Sequence, residues 1–204
     1  MALLPWLAGG AVVVAMAAGW MAFTGKRVPV TNRLLLPVQI HVESAGDWTL
    51  APDSAVELKP PRDGGLTVHW EAVRPMVGPY PVGERLSGSA TVKKLARGTR
   101  LTIGAAGSGF AWFAPLITNA TGIPLRIVVN AGLQGAYDCA CQVPPGAVRM
   151  PIGYYRLYGN STVEARDASG RVARFDNVAG GVEAPGNGVG LRFNPGDLRP
   201  PASR

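Results

Sequence analysis

The segment Val30-Thr31-Asn32-Arg33-Leu34-Leu35-Leu36-Pro37-Val38-Gln39-Ile40-His41-Val42 recurs 87 residues later as Ile117-Thr118-Asn119-Ala120-Thr121-Gly122-Ile123-Pro124-Leu125-Arg126-Ile127-Val128-Val129. Five of the 13 positions are identical and three more exchange one aliphatic residue for another. Downstream, Pro52-Asp53-Ser54-Ala55-Val56 matches Pro144-Pro145-Gly146-Ala147-Val148 once five residues are inserted. Self-similarity at a fixed offset means one supersecondary unit used twice, which narrows the possible folds sharply. Each copy reads as a Thr-Asn turn, a proline at strand entry and an alternating strand.

The alternation defines the class. Val38, Ile40 and Val42 share one strand face while Gln39, His41 and Glu43 share the other; Leu66, Val68 and Trp70 repeat this against Thr67, His69 and Glu71. Further strands are expected at Ala90–Leu95, Arg100–Gly104, Phe110–Phe113, Leu125–Val129, Val148–Tyr158, Thr162–Ala165 and Arg171–Phe175. Turn signals such as Asp63-Gly64-Gly65, Arg97-Gly98 and Ser169-Gly170 separate them. No stretch beyond residue 28 holds a helical period. The expected fold is all-β, with two tandem immunoglobulin-like or fibronectin-like sandwiches, since a spacing near 87 residues suits about seven short strands. No Cys…Trp…Cys pattern accompanies it. The expected units are 28–114 and 115–178, followed by an extended Gly/Pro-rich tail over 179–204. In that tail Leu191 and Phe193 are the large apolar residues, suited to completing a sheet edge or docking on another subunit.

Residues 1–27 form a separate expected segment, a transmembrane anchor. Ala2 to Gly25 is uncharged over 24 residues, and roughly 20 suffice to cross the hydrocarbon as a helix. Trp6 and Trp20 flank it as interfacial aromatics do. Ala11, Ala15 and Gly19 form a row of small residues that lets a second helix approach. The alternative is a signal peptide cut at Ala15-Met16-Ala17, but no Lys or Arg precedes the apolar stretch. A retained single-pass anchor in an inner membrane is the expectation. Lys26, Arg27 and Arg33 follow it, so the positive-inside rule favours a cytoplasmic domain. The turn-rich, lysine-poor remainder favours the periplasmic side, which is the expectation adopted.

Twenty basic residues oppose 13 acidic ones, a net charge of +7. The densest basic run is Arg85, Lys93, Lys94, Arg97 and Arg100, without the aromatic ladder of a nucleic-acid surface, so no nucleic-acid partner is expected. Cys139 and Cys141 are the two cysteines; on a regular strand a C-x-C pair lies roughly 6.5–7 Å apart, beyond easy disulfide reach without a bend. Metal candidates are His41, Glu43, His69 and Glu71, two H-x-E pairs that would meet only if their strands are neighbours in register. Tyr154, Arg156 and Tyr158 would share one strand face, and Tyr and Arg carry interface hot spots. Gly104-Ala105-Ala106-Gly107-Ser108-Gly109 lacks the following Lys of a phosphate loop, and no G-x-S-x-G occurs. No catalytic set and no cofactor motif is expected.

These features describe a non-enzymatic accessory or scaffold subunit of a larger membrane complex. Its partners would be other membrane protein subunits, and residues 2–25 would meet the lipid bilayer. The alternatives are a tethered module binding a glycan or peptide through Tyr154, Arg156 and Tyr158, and a metal-handling or redox protein using the H-x-E or C-x-C residues.

Overall fold

The structure, a computed structural model, describes residues 27–43, 45–60, 65–93, 98–105 and 111–200. The expected spanning segment, with Ala11, Ala15 and Gly19, lies outside these residues; so do Lys94, Arg97 and most of the glycine-rich run after Gly104. Among the described residues no helix is long and apolar enough to cross a membrane. The described residues are mostly β, and among them five sheets pack in sandwich-like fashion with no closed barrel.

The first half contains β1 (Val28–Asn32), β2 (Val38–Val42), β3 (Gly46–Leu50), β4 (Ala55–Leu58), β5 (Leu66–Ala72), β6 (Met76–Val77), β7 (Tyr80–Pro81), β8 (Ser87–Val92) and β9 (Leu101–Ile103). They form a three-stranded sheet in the order β4-β1-β9, a four-stranded sheet β3-β2-β5-β8, and the separate hairpin β6–β7. The second half contains β10 (Trp112–Asn119), β11 (Leu125–Val129), β12 (Tyr137–Val143), β13 (Met150–Pro151), β14 (Tyr155–Arg156), β15 (Val163–Arg166), β16 (Val172–Phe175) and β17 (Gly188–Phe193). Here β10 lies among β13, β14 and β17, and the four-stranded sheet runs β12-β11-β15-β16.

Period-2 patterning explains the cores. Val38, Ile40 and Val42 on β2 and Leu66, Val68 and Trp70 on β5 are buried, while the residues between them face outward. Each such aliphatic contributes about 1.5–3 kcal/mol on leaving water. Strand β10 differs: WFAPLITN is buried almost throughout. Trp112 and Ala114 join the first hydrophobic cluster, and Phe113 and Ile117 join the second. A strand covered on both faces reads as an unbroken apolar run, so alternation alone does not reveal its extent.

The repeat recurs atom by atom at its asparagine. Asn32 is fully buried; its Nδ2 donates to the carbonyls of Leu36 (3.0 Å), Leu50 (3.1 Å) and Ala51 (3.1 Å), and its Oδ1 accepts from Leu34 N–H (2.9 Å). Asn119 does the same with Ile123 (2.8 Å), Val143 (3.0 Å), Pro144 (3.1 Å) and Thr121 N–H (3.0 Å). In both copies the residue after the asparagine donates to the parallel neighbour, Arg33 to Ile103 and Ala120 to Phe193. The structure shifts the downstream alignment by one residue. Leu50-Ala51 corresponds to Val143-Pro144, and Asn32 N–H bonds Ser54 as Asn119 N–H bonds Ala147. Asp53 then matches Gly146, both with positive φ (55° and 77°), so the insertion is six residues rather than five.

Three sequence expectations are corrected. The stretch from Ala179 is no loose tail: Gly188–Phe193 forms β17, paired in parallel along β10 from Ala114↔Gly188 to Asn119↔Phe193. It corresponds to β9, which pairs in parallel with β1 through Val30↔Leu101. The expected strand Val148–Tyr158 is broken into β13 and β14, because Gly153 turns the chain at φ 102°. The expected boundary at 114/115 falls inside β10, which serves both clusters.

The halves meet at a pair of glycines. A Cβ on Gly153 would lie 2.5 Å from Gly83 Cα and 2.8 Å from Val82 O, so only two glycines permit this backbone contact. Beside it, Glu84 N–H donates to Tyr154 O (2.8 Å), and Leu35 packs over Gly186 and Gly188.

Two outcomes are expected from chemical denaturation. Asn119→Ala removes the side-chain donor from three carbonyls, of which that of Val143 is buried, and should destabilise the protein by about 2–3 kcal/mol, with Asn32→Ala comparable. Gly153→Ala combines a φ near +100° with a backbone clash and should cost about 3 kcal/mol, against a near-neutral Gly159→Ala in open space.

Candidate functional site

Among the described residues, two surface regions hold most of the polar side chains that the sequence singles out. The first is the outer face of the β3-β2-β5-β8 sheet. Register places His41 opposite both Asp47 and His69, and His69 opposite Ser89, so Asp47, His41, His69 and Ser89 form one row across four strands. His41 Nδ1 lies 2.6 Å from Asp47 Oδ1. An open depression of about 530 Å³ lies here, lined by Gln39, His41, Asp47, Thr49, His69 and Glu71 among others.

The two H-x-E strands are therefore neighbours, as a shared site would require, but the carboxylates are not gathered. Glu71 is held by Arg85 through two charge-assisted bonds, Nε–Oε1 at 2.8 Å and Nη2–Oε2 at 2.6 Å. That fork raises the Arg85 pKa, through the Glu71 hydrogen bond first and its charge second. Glu43 lies one residue past the end of β2. Among the described residues no group of three or more His, Cys, Asp or Glu side chains is disposed to hold a metal ion.

The second region is the seam between the halves, where the Tyr/Arg residues sit. The expectation of Tyr154, Arg156 and Tyr158 on one strand face is corrected by the structure, which separates them. Tyr154 is 1% exposed and belongs to the first hydrophobic cluster. Its hydroxyl accepts from Leu35 N–H (2.8 Å) and donates to Gly186 O (2.8 Å), tying three distant segments. Burial pushes its pKa up to about 12 against the lowering effect of the Leu35 N–H. Tyr155 is buried in the second cluster, donates to Ile152 O (2.6 Å), and is raised further by burial and by nearby Tyr137 and Glu84. Arg156 is exposed, with its N–H on Glu84 Oε1 (3.0 Å) and its Nε 3.4 Å from Glu84 Oε2. Tyr158 is half-buried in a turn closed by Ser161 Oγ.

Of the two roles expected for Leu191 and Phe193, the structure shows the first, completion of a sheet edge, with β17 paired along β10. Both are buried core residues of the protein's own β17, and Phe193 meets Phe175 edge-on at 5.1 Å. They are spent internally. The missed signal was Leu191-Arg192-Phe193 repeating Leu101-Thr102-Ile103, each an apolar pair flanking a polar residue on the strand beside the repeat.

Beside the glycine contact opens a cleft of about 530 Å³, lined by Arg74, Gly83, Glu84, Arg85, Ser87, Trp112, Tyr137 and Arg156. Among the described residues, neither the H-x-E side chains nor Cys139 line it. Cys139 is buried and disulfide-bonded. The ladder near it is irregular: between Arg126↔Gln142 and Val128↔Asp138, β12 carries more residues than β11, which supplies a bend in that strand.

The β15–β16 turn carries the clearest carboxylate effect. Burial alone would raise the Asp167 pKa. The Ser169 hydroxyl, the Arg171 side chain at 2.7 Å and the Arg171 N–H at 2.9 Å outweigh it and lower the value to about 2.

A match to family models, to curated proteins or to solved structures is found for no part of the chain. The class defined by the coordinates is thus a largely β-sheet protein without a metal cluster among its described residues.

A pH dependence follows from Asp167. Its folded-state pKa lies below the ordinary carboxylate value near 4, so its contribution is full above that value. It is lost as pH falls through about 2. Urea midpoints measured from pH 5 to pH 2 should fall for the wild type, and Asp167→Asn should flatten that part of the profile while lowering stability at neutral pH.

Proposed function

We propose that the chain is a non-enzymatic, membrane-anchored accessory subunit that scaffolds a larger membrane complex. Residues 2–25 would be its single-pass anchor in an inner membrane, and two immunoglobulin-like or fibronectin-like sandwiches would stand on the periplasmic side. The disulfide at Cys139 supports an oxidising compartment. The halves share β10 and close on the Gly83–Gly153 contact and Tyr154 hydroxyl, which suits a spacer that holds other subunits at a fixed separation.

One observation carries the partner contact. The hairpin β6–β7 stands outside the four larger sheets, and Met76 and Tyr80 on it are 60% and 63% exposed. Large apolar side chains left more than half exposed are typical of interface anchors, methionine because it adapts and tyrosine because it is amphipathic, and the register sets these two on opposite faces of the hairpin. This hairpin replaces Tyr154, Leu191 and Phe193 as the contact surface. Tyr154 being buried also removes the stacking platform on which the glycan- or peptide-binding alternative rested.

Mild-detergent extraction from the native host, followed by sizing, tests the reading. Stoichiometric membrane proteins should travel with the wild type. Met76→Ser with Tyr80→Ser should release them while leaving the melting temperature within about 2 °C, as expected for exposed positions. Migration of the wild type alone would refute the scaffold role. A reporter active only outside the cytoplasm, fused after Arg204, checks the orientation.

A further inference from the structure

We propose that the seam cleft is a binding site for an oxyanion, a carboxylate or phosphate group. Its walls come from both halves. Arg74 and the Gly83–Ser87 segment belong to the first half, while Trp112, Tyr137 and Arg156 belong to the second. Arg156 and Trp112 face each other across β10 and β14.

The cleft is a set of donors. Three guanidiniums line it against one carboxylate, Glu84, and that carboxylate is engaged by the Arg156 side chain and N–H. Arg85 is committed to Glu71. Counting Glu71 with its partner leaves one positive charge, that of Arg74, which no described carboxylate approaches within ion-pair distance. Guanidinium forks match planar or tetrahedral oxyanions geometrically.

A second, independent feature points the same way. Trp112 is 5% exposed, and its Nε1–H has no hydrogen-bond acceptor among the described residues. Buried donors are almost always paired, and indole N–H only donates, so this position selects an acceptor. A cation finds no available carboxylate here. An oxyanion would accept from Arg74 and Trp112 together, at the point where the two halves join.

The test uses full-length, nitrogen-15-labelled protein in detergent. Sodium phosphate and sodium acetate are titrated separately at constant ionic strength, and the five indole N–H resonances are followed. Trp112→Phe identifies its own peak by loss. A saturable shift of the Trp112 peak with either salt supports the proposal, and the salt that acts identifies the phosphate or carboxylate source. Arg74→Gln should weaken that binding about tenfold, the usual loss for one charge-assisted hydrogen bond. No saturable shift, or equal affinity in Arg74→Gln, overturns it. Arg74→Gln alters a partly exposed side chain outside any strand, so this comparison stands even where Trp112→Phe folds poorly; the Trp112 peak is then assigned through its contacts to β10 protons.

Discussion

A primary amide buried in each half holds the architecture together. Asn32 and Asn119 stand at the ends of β1 and β10, where the chain leaves one sheet and enters the other. Each shares its two Nδ2 hydrogens among three carbonyls from the turn and from the far end of the neighbouring hairpin. A hydrophobic residue there would leave the buried carbonyls, those of Leu36, Leu50 and Val143, without this donor, and an aspartate would offer none. The amide therefore stitches sheet to sheet in a way that apolar packing, which is non-directional, does not.

This explains what was legible in the amino-acid order. Half-buried strands such as β2 and β5 alternate and could be read directly, and the Thr-Asn…Pro repeat exposed the two copies. Strand β10 runs past the expected Phe110–Phe113 because both its faces are covered. Strand β17 is hidden in a Gly/Pro-rich stretch because Gly188 and Gly190, set there to admit Leu35 and Arg149, dilute its apolar signal. The two-residue strands β13 and β14 are too brief for any periodicity.

The candidate sites were less legible. Tyr154 looked like surface because the chain beside it looked like a continuous strand; Gly153 redirects the backbone and sends neighbouring tyrosines into different cores. His41 and His69 did prove to be cross-strand neighbours, which only register decides. The seam cleft could not be read at all, since Arg74 and Tyr137 belong to separate copies of the repeat.

The parallel pairings carry a consequence for biogenesis. Val30 waits for Leu101, and Ile117 for Leu191, so the strand that opens each copy meets its parallel neighbour only some 70 residues afterwards. Closing such long loops is entropically slow. Either copy would emerge from a ribosome or translocation channel with its leading edge bare, exposed to mispairing with its twin until the last strand arrives. The divergence between the copies, five identities in 13 at their most alike, works against that exchange.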